Sequence, residues 1–174
     1  MQLSEAINLI RGAAIPHDRP AVWADLGCGS GLFTQALARL LPDGSTIYAV
    51  DKKQQRISPP DNRVKINFLQ ADFEKDEWVL PPLQGILMAN SLHYVAGKQR
   101  LLKYLLEKMS RRSMLIIVEY DSLRANPWVP YPINFSGLKK LLEEAGCTEV
   151  TQLGERPSRY RPGNIYASIA TVPN

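Results

Sequence analysis

Residues 22–31, Val-Trp-Ala-Asp-Leu-Gly-Cys-Gly-Ser-Gly, constrain this chain more than any other stretch. An apolar run with strand character reaches Asp25, glycines alternate at Gly27, Gly29 and Gly31, and a helical pattern starts at once with Leu32, Phe33, Ala36, Leu37 and Leu40. Strand, glycine turn and helix in succession form the ligand-approach corner of a doubly wound α/β sheet. Glycine is needed there because the turn uses backbone angles that a Cβ obstructs, and because a ligand must touch the main chain. A dinucleotide turn, G-x-G-x-x-G, would place its third glycine at position 32, where this chain has Leu32. A carboxylate at Asp25 repels a pyrophosphate and attracts an ammonium group. The helix N-terminus after Gly31 is open to a carboxylate.

The length of 174 residues suits one domain, spanning 1–174, in which residues 1–20 form an N-terminal helix and connector expected to help cover the site. Hydrophobic residues make up 45% and charged residues 22%, the balance of an ordinary globular protein. No apolar run reaches membrane-spanning length, and Met1–Ala6 lacks the basic region and apolar core of a signal peptide, so no membrane association is expected. Cys28 and Cys147 build no disulfide framework and fit a reducing, cytoplasmic compartment. With only His17 and His93 besides, no metal-ligand spacing is present. The net charge of +4 is mild and its basic residues are scattered, which reads as a solvated surface ahead of a nucleic-acid footprint.

Strands are predicted at Ala21–Asp25, Ile47–Asp51, Val64–Leu69, Gly85–Ala89, Met114–Tyr120, Thr148–Leu153 and Ile165–Thr171. Helices are predicted from Leu3, at Leu32–Leu41, along the stripe Leu101, Leu102, Leu105, Leu106 and Met109, and around Leu138, Leu141, Leu142 and Ala145. Prolines at 59 and 60 limit Lys52–Arg63 to one short helical turn at most. Alternating strands and helices imply a mostly parallel seven-stranded sheet, and the last two strands, with no helix between them, imply a C-terminal antiparallel hairpin.

In motif content, strand order and length, the stretch from Ala21 to Val172 resembles the class I S-adenosylmethionine-dependent methyltransferases. Asp25 with Gly27, Gly29 and Gly31 matches their first motif, Asp51 the acidic residue closing strand two, and Asp72 with Phe73 the acidic residue after strand three. The resemblance implies a Rossmann-like methyltransferase fold and S-adenosylmethionine as cofactor. It also implies a cofactor site of Asp25, Gly27, Cys28, Gly29, Gly31, Asp51, Lys52, Asp72, Phe73 and Asn90. Asp51 lies twenty positions beyond Gly31, at the height where a ribose diol would sit beside the neighbouring strand. Cys28 reads as a small filler of the turn, since no base stands beside it in sequence.

Methyl transfer from a sulfonium needs alignment and water exclusion, and a base only where the acceptor must lose a proton first. His93 is the candidate base, with a pocket-lining or structural role as the alternative. Tyr94, Tyr120, Trp128 and Tyr131 are candidates to line the substrate site, with Phe135 beside them; packing on the sheet edge is the alternative for Trp128, Tyr131 and Phe135. Arg156, Arg159 and Arg161 are candidates to pair an acidic acceptor. The segment Asn90-Ser91-Leu92-His93 lacks the Asn/Asp-Pro-Pro-aromatic motif of base-modifying members, which disfavours adenine or cytosine amino methylation. A small-molecule acceptor is expected first, RNA or protein second, and a non-catalytic S-adenosylmethionine-binding partner subunit remains an alternative. Leu32 and Asp25 disfavour a nicotinamide-dependent reductase.

Overall fold

A computed structural model describes residues 1–59, 61, 63–158 and 163–173. The elements run α1 (Leu3–Ile10), β1 (Val22–Leu26), α2 (Leu32–Leu40), β2 (Thr46–Asp51), β3 (Lys65–Gln70) and β4 (Leu83–Ala89). A 3-10 turn (Leu92–Tyr94) follows, then α3 (Lys98–Glu107), β5 (Met109–Tyr120), α4 (Phe135–Glu144), β6 (Thr148–Pro157) and β7 (Asn164–Thr171). All seven strands join one sheet in the order β3-β2-β1-β4-β5-β7-β6. β3, β2, β1, β4 and β5 are mutually parallel, and β7 runs antiparallel to both β5 and β6. The order reverses between β1 and β4, and such a switch point opens a crevice outside the carboxyl ends of the strands.

The central strands read as continuous apolar runs because helices cover both faces. Along β5, Leu115 and Ile117 enter the core layer under α3 and α4, whereas Ile116 and Val118 enter the layer under α1 and α2. That alternation is the period of two of a pleated strand. α1 is part of this packing: Ala6, Leu9 and Ile10 are buried, and Glu5 pairs with Arg156 on β6 at 2.8 Å. Of residues 1–20, expected to cover the site, Met1 is the one that reaches the cavity described below.

The structure revises two sequence expectations. β5 begins at Met109 rather than Met114, because Met109 pairs with Leu83 across an irregularity in β4 and so leaves the helical stripe. β6 continues through Gly154 to Pro157, held by the pairing of Arg156 with Ile165. The described residues of 52–63 form no helical turn, within the limit of one expected there. The parallel core and the C-terminal hairpin are as expected. Among the described residues no helix is long and apolar enough to cross a membrane.

One contact sets the spacing at the switch point. Trp23 of β1 lies beside Gly85 of β4 in register, and a Cβ on Gly85 would sit 2.3 Å from the indole. Trp23 is 1% exposed, so the ring has nowhere to go. Gly85→Ala is therefore expected to destabilise the fold by roughly 1–3 kcal/mol or more through overpacking. The double change Trp23→Leu with Gly85→Ala should recover part of that loss, as read from urea midpoints.

Candidate functional site

The turn between β1 and α2 hangs on the end of β2. Gly27 and Cys28 N–H groups both donate to the Val50 carbonyl, and the Gly29 N–H donates to Asp51 Oδ2 at 2.9 Å. Gly27 has φ +77°, and a Cβ there would meet the Ser91 Cβ at 2.5 Å, so the turn and the end of β4 touch backbone to side chain. Ser91 is itself held by donating its hydroxyl to the Leu26 carbonyl at 2.7 Å. Gly29, with φ +50°, has no atom within 4 Å of where its Cβ would stand. Gly31 begins α2 without a side-chain cap, leaving the first-turn N–H groups without capping from a side chain.

Gly29 opens onto a cavity of about 500 Å³ at the carboxyl ends of the strands. Its walls come from Asp25, Gly27–Ser30, Leu32 and Phe33 at the β1–α2 corner, Asp51 after β2, and Ala89, Asn90 and Tyr94 after β4. Tyr120 at the end of β5, Ile165 at the start of β7, and Met1 complete it.

Two buried oxygens of these lining residues stand out. Asp25 is 1% exposed; its Oδ2 accepts from the Thr34 hydroxyl at 2.6 Å, and its Oδ1 has no hydrogen-bond partner. Burial pushes the Asp25 carboxyl up to about 7, the Thr34 hydrogen bond opposes the shift, and the Asp51 charge adds to it. Asn90 Oδ1 is also buried without a partner. Asn90 adopts φ +54°, a left-handed conformation uncommon outside glycine, with its N–H donating to the Val118 carbonyl at 2.8 Å. Strain of this kind and unpaired buried acceptors gather at ligand sites. Both oxygens are acceptors, so the group that satisfies them is a donor such as an ammonium.

Asp51 is engaged on both oxygens, Oδ2 by Gly29 N–H and Oδ1 by Lys53 N–H at 2.9 Å. Each carboxylate oxygen keeps a second acceptor position. The Cys28 thiol is pushed well up by burial first and by the Asp25 and Asp51 charges next, which makes it an unreactive filler of the turn.

The cavity thus gathers Asp25, Gly27, Cys28, Gly29, Asp51, Asn90, Tyr94 and Tyr120 of the residues singled out from sequence. Others stand apart from it. Asp72 accepts from the Glu74 N–H and lies 3.7 Å from the Lys75 ammonium, and Phe73 adjoins Gly27 from the flank of the turn. Lys52 is exposed, its carbonyl accepting from Gln70. Trp128 and Tyr131 are exposed on the loop after β5, at 76% and 47%, and do not line the cavity. Phe135 packs edge-on against Tyr166 in the core, and Arg156 is held by Glu5. Arg159 and Arg161 lie outside the described residues.

His93 needs the largest correction. It is 2% exposed and lies behind the cavity wall, its ring 4.4 Å from that of Tyr94 and 5.9 Å from that of Tyr120. Glu119, 1% exposed on β5, accepts from the His93 backbone N–H at 3.0 Å and meets Nδ1 at 2.6 Å. The His93 carbonyl in turn accepts from Tyr131 N–H. This pair ties the ends of β4 and β5 to the loop between β5 and α4, and the geometry does not put the imidazole against the cavity as a base. Thr34 and Ile57, the residue that covers Gly31, were invisible to sequence reasoning; Thr34 follows Asp25 by nine positions, with no motif linking them.

The switch-point crevice, the three-glycine turn and the carboxylates ending β1 and β2 define a cofactor-binding α/β sheet of the methyltransferase type. The model of the methyltransferase domain family matches residues 24–112, and the chain belongs to that family. A trans-aconitate 2-methyltransferase of Yersinia pestis (strain Pestoides F) is 29% identical over 155 residues, covering 81% of this chain and 55% of that protein. One from Acidovorax sp. (strain JS42) is 29% identical over 120 residues, covering 68% and 45%. The chain spans about half the length of these curated relatives. Among solved structures, the Burkholderia thailandensis 1,6-didemethyltoxoflavin-N1-methyltransferase with bound 1,6-didemethyltoxoflavin and S-adenosylhomocysteine superposes with a TM-score of 0.70 at 19% identity. That match covers 99% of this chain and 78% of the other. Human N-acetylserotonin methyltransferase in complex with SAM gives 0.67 at 18% identity, covering 98% of this chain and 52% of that one. At such identities the likeness is one of fold.

Two outcomes test the electrostatics. In ligand-free protein the raised Asp25 carboxyl holds its proton in the folded state after the unfolded chain has lost it. Its contribution to stability is full below the ordinary aspartate value of 3.8 and is lost as pH rises through about 7. The stability of wild type relative to Asp25→Asn should fall across that window, with a slope of up to about 1.4 kcal/mol per pH unit, and flatten above it. His93→Ala leaves the Glu119 carboxylate buried without its ring partner, and should lower unfolding free energy by about 3–5 kcal/mol in urea titrations.

Proposed function

We propose that this chain binds S-adenosylmethionine at the β1–α2 corner and transfers its methyl group to a small molecule held beside Tyr94 and Tyr120. The observation that carries this is the pair of unpaired buried oxygens, Asp25 Oδ1 and Asn90 Oδ1, in the wall of one cavity beside the open face of Gly29. Donor chemistry, space and backbone access coincide there, in a chain of the methyltransferase domain family.

The residues divide the cofactor among them. Asp25 and Asn90 receive the methionine ammonium. The first-turn N–H groups of α2, after Gly31, receive the carboxylate, where backbone dipoles favour an anion. Asp51 accepts from the ribose hydroxyls through its remaining lone pairs while holding Gly29 in place. Lys52, Asp72 and Phe73 flank the adenine end.

Bound there, the sulfonium supplies an activated methyl: the carbon–sulfur bond breaks with its electron pair left on sulfur as the acceptor lone pair forms the new bond. The protein aligns the acceptor, shields it from water and leaves any released proton to solvent. The His93–Glu119 pair serves as a positioning device for Tyr94 and Tyr120. Residues 1–174 act as one unit, with Met1 at the mouth of the site. The names of the relatives, a trans-aconitate and a toxoflavin-precursor methyltransferase, support a small-molecule acceptor. Two buried free cysteines support a reducing, cytoplasmic setting.

Calorimetry with S-adenosylhomocysteine tests the cofactor site. Wild type should bind it, and Asp51→Ala should weaken it by roughly 1.5–3 kcal/mol, the scale of hydrogen bonds to a charged group. Absence of binding to folded wild type at millimolar ligand would overturn the reading. Binding without turnover on any acceptor would instead favour a cofactor-binding partner subunit.

A further inference from the structure

We propose that the acceptor is a planar, uncharged aromatic or heteroaromatic molecule, and that the site discriminates against polycarboxylates of the kind that give the curated relatives their name. The inference deepens the methyltransferase reading and rests on it.

The side-chain charges in the described cavity lining are Asp25 and Asp51, both on the half assigned to the cofactor; Met1 brings its α-ammonium to the mouth, and that lining contains no lysine, arginine or histidine. A tricarboxylate needs cationic partners, most effectively paired guanidinium groups. Two described cations near this rim are committed elsewhere. Arg156 pairs with Glu5 at 2.8 Å. Lys98 donates to the Val95 carbonyl at 2.7 Å, its ammonium stands 5.5 Å over the Tyr131 ring, and burial lowers its pKa.

The other half of the cavity is aromatic and apolar. Tyr94 and Tyr120 line it with Ala89 and Ile165. Both tyrosine rings contact the imidazole of His93, which Glu119 anchors through backbone and ring, so these walls are set before an acceptor arrives. Preset walls lower the ordering cost of binding and favour a flat, rigid occupant. Tyr94 is 54% exposed although its neighbours Leu92 and His93 are buried. The described large hydrophobics left exposed are Val79 and four others, Tyr94, Leu123, Trp128 and Tyr131, and those four follow β4 or β5. Tyrosine and tryptophan offer ring faces for stacking together with a polar edge.

Equilibrium dialysis of the full chain, with and without S-adenosylhomocysteine, tests this with 2-naphthol, 8-hydroxyquinoline and lumazine against trans-aconitate and citrate. At least one planar probe should bind tenfold or more tightly than either polycarboxylate. Tyr94→Ala should weaken that probe at least fivefold, and Tyr94→Phe, which keeps the ring, should retain it. S-adenosylhomocysteine affinity, measured separately by calorimetry, should stay within twofold in both variants. Equal or tighter binding of a polycarboxylate, methylation of trans-aconitate, no binding of any planar probe, or a planar probe indifferent to Tyr94→Ala would each overturn the proposal. Loss of S-adenosylhomocysteine binding alone would strike the cofactor reading, because probe binding to the ligand-free protein is read independently.

Discussion

A single hydrogen bond, from the Gly29 N–H to Asp51 Oδ2 at 2.9 Å, joins the two ideas on which this structure rests. It pins the glycine turn after β1 to the end of β2, and it places a carboxylate where a ligand must pass. Asp51 also caps its own strand by accepting from Lys53 N–H, so the carboxylate is held from both sides without a side-chain cation among the described residues. The turn keeps its open face toward the cavity because Gly29 carries no side chain and because Gly27 is wedged against Ser91. Scaffold and site are therefore the same atoms at this corner.

The electrostatics of the corner are unfinished in a productive sense. Asp25 is buried deeply enough that burial raises its carboxyl to about 7, and Thr34 satisfies one oxygen while the other is left over. Asn90 holds a left-handed backbone angle and leaves a second acceptor unpaired. Unpaired buried acceptors are costly, and a ligand that supplies donors recovers that cost as affinity. The acceptor side follows the opposite principle: its buried pair, His93 with Glu119, is fully engaged and withdrawn behind rings. What faces the cavity there is shape and aromatic surface, which selects by fit rather than by charge.

The sequence by itself determined the alternation of strands and helices, the β1–turn–α2 corner, the strand ends carrying Asp25 and Asp51, and the antiparallel finish. These rest on local rules: apolar period, glycine at left-handed turns, and acidic residues at fixed distances within one crossover unit. Contacts are less legible than elements. Asp72 stands where the sequence places it, outside the described cavity lining, and its carboxylate accepts from the Glu74 N–H and lies near the Lys75 ammonium. His93 looked like a rim residue because it follows a strand end, and only the approach of β5 buries it against Glu119, 26 positions away. Trp128 and Tyr131 were legible as aromatic but not as exposed, since exposure depends on how the loop after β5 docks on the His93 carbonyl. The tertiary structure alone decided Gly85 under Trp23, Ile57 over Gly31 and Thr34 beneath Asp25. Each is a meeting of segments brought together by strand order or by a helix folding back, and sequence periodicity carries no information about which faces meet once the layers close.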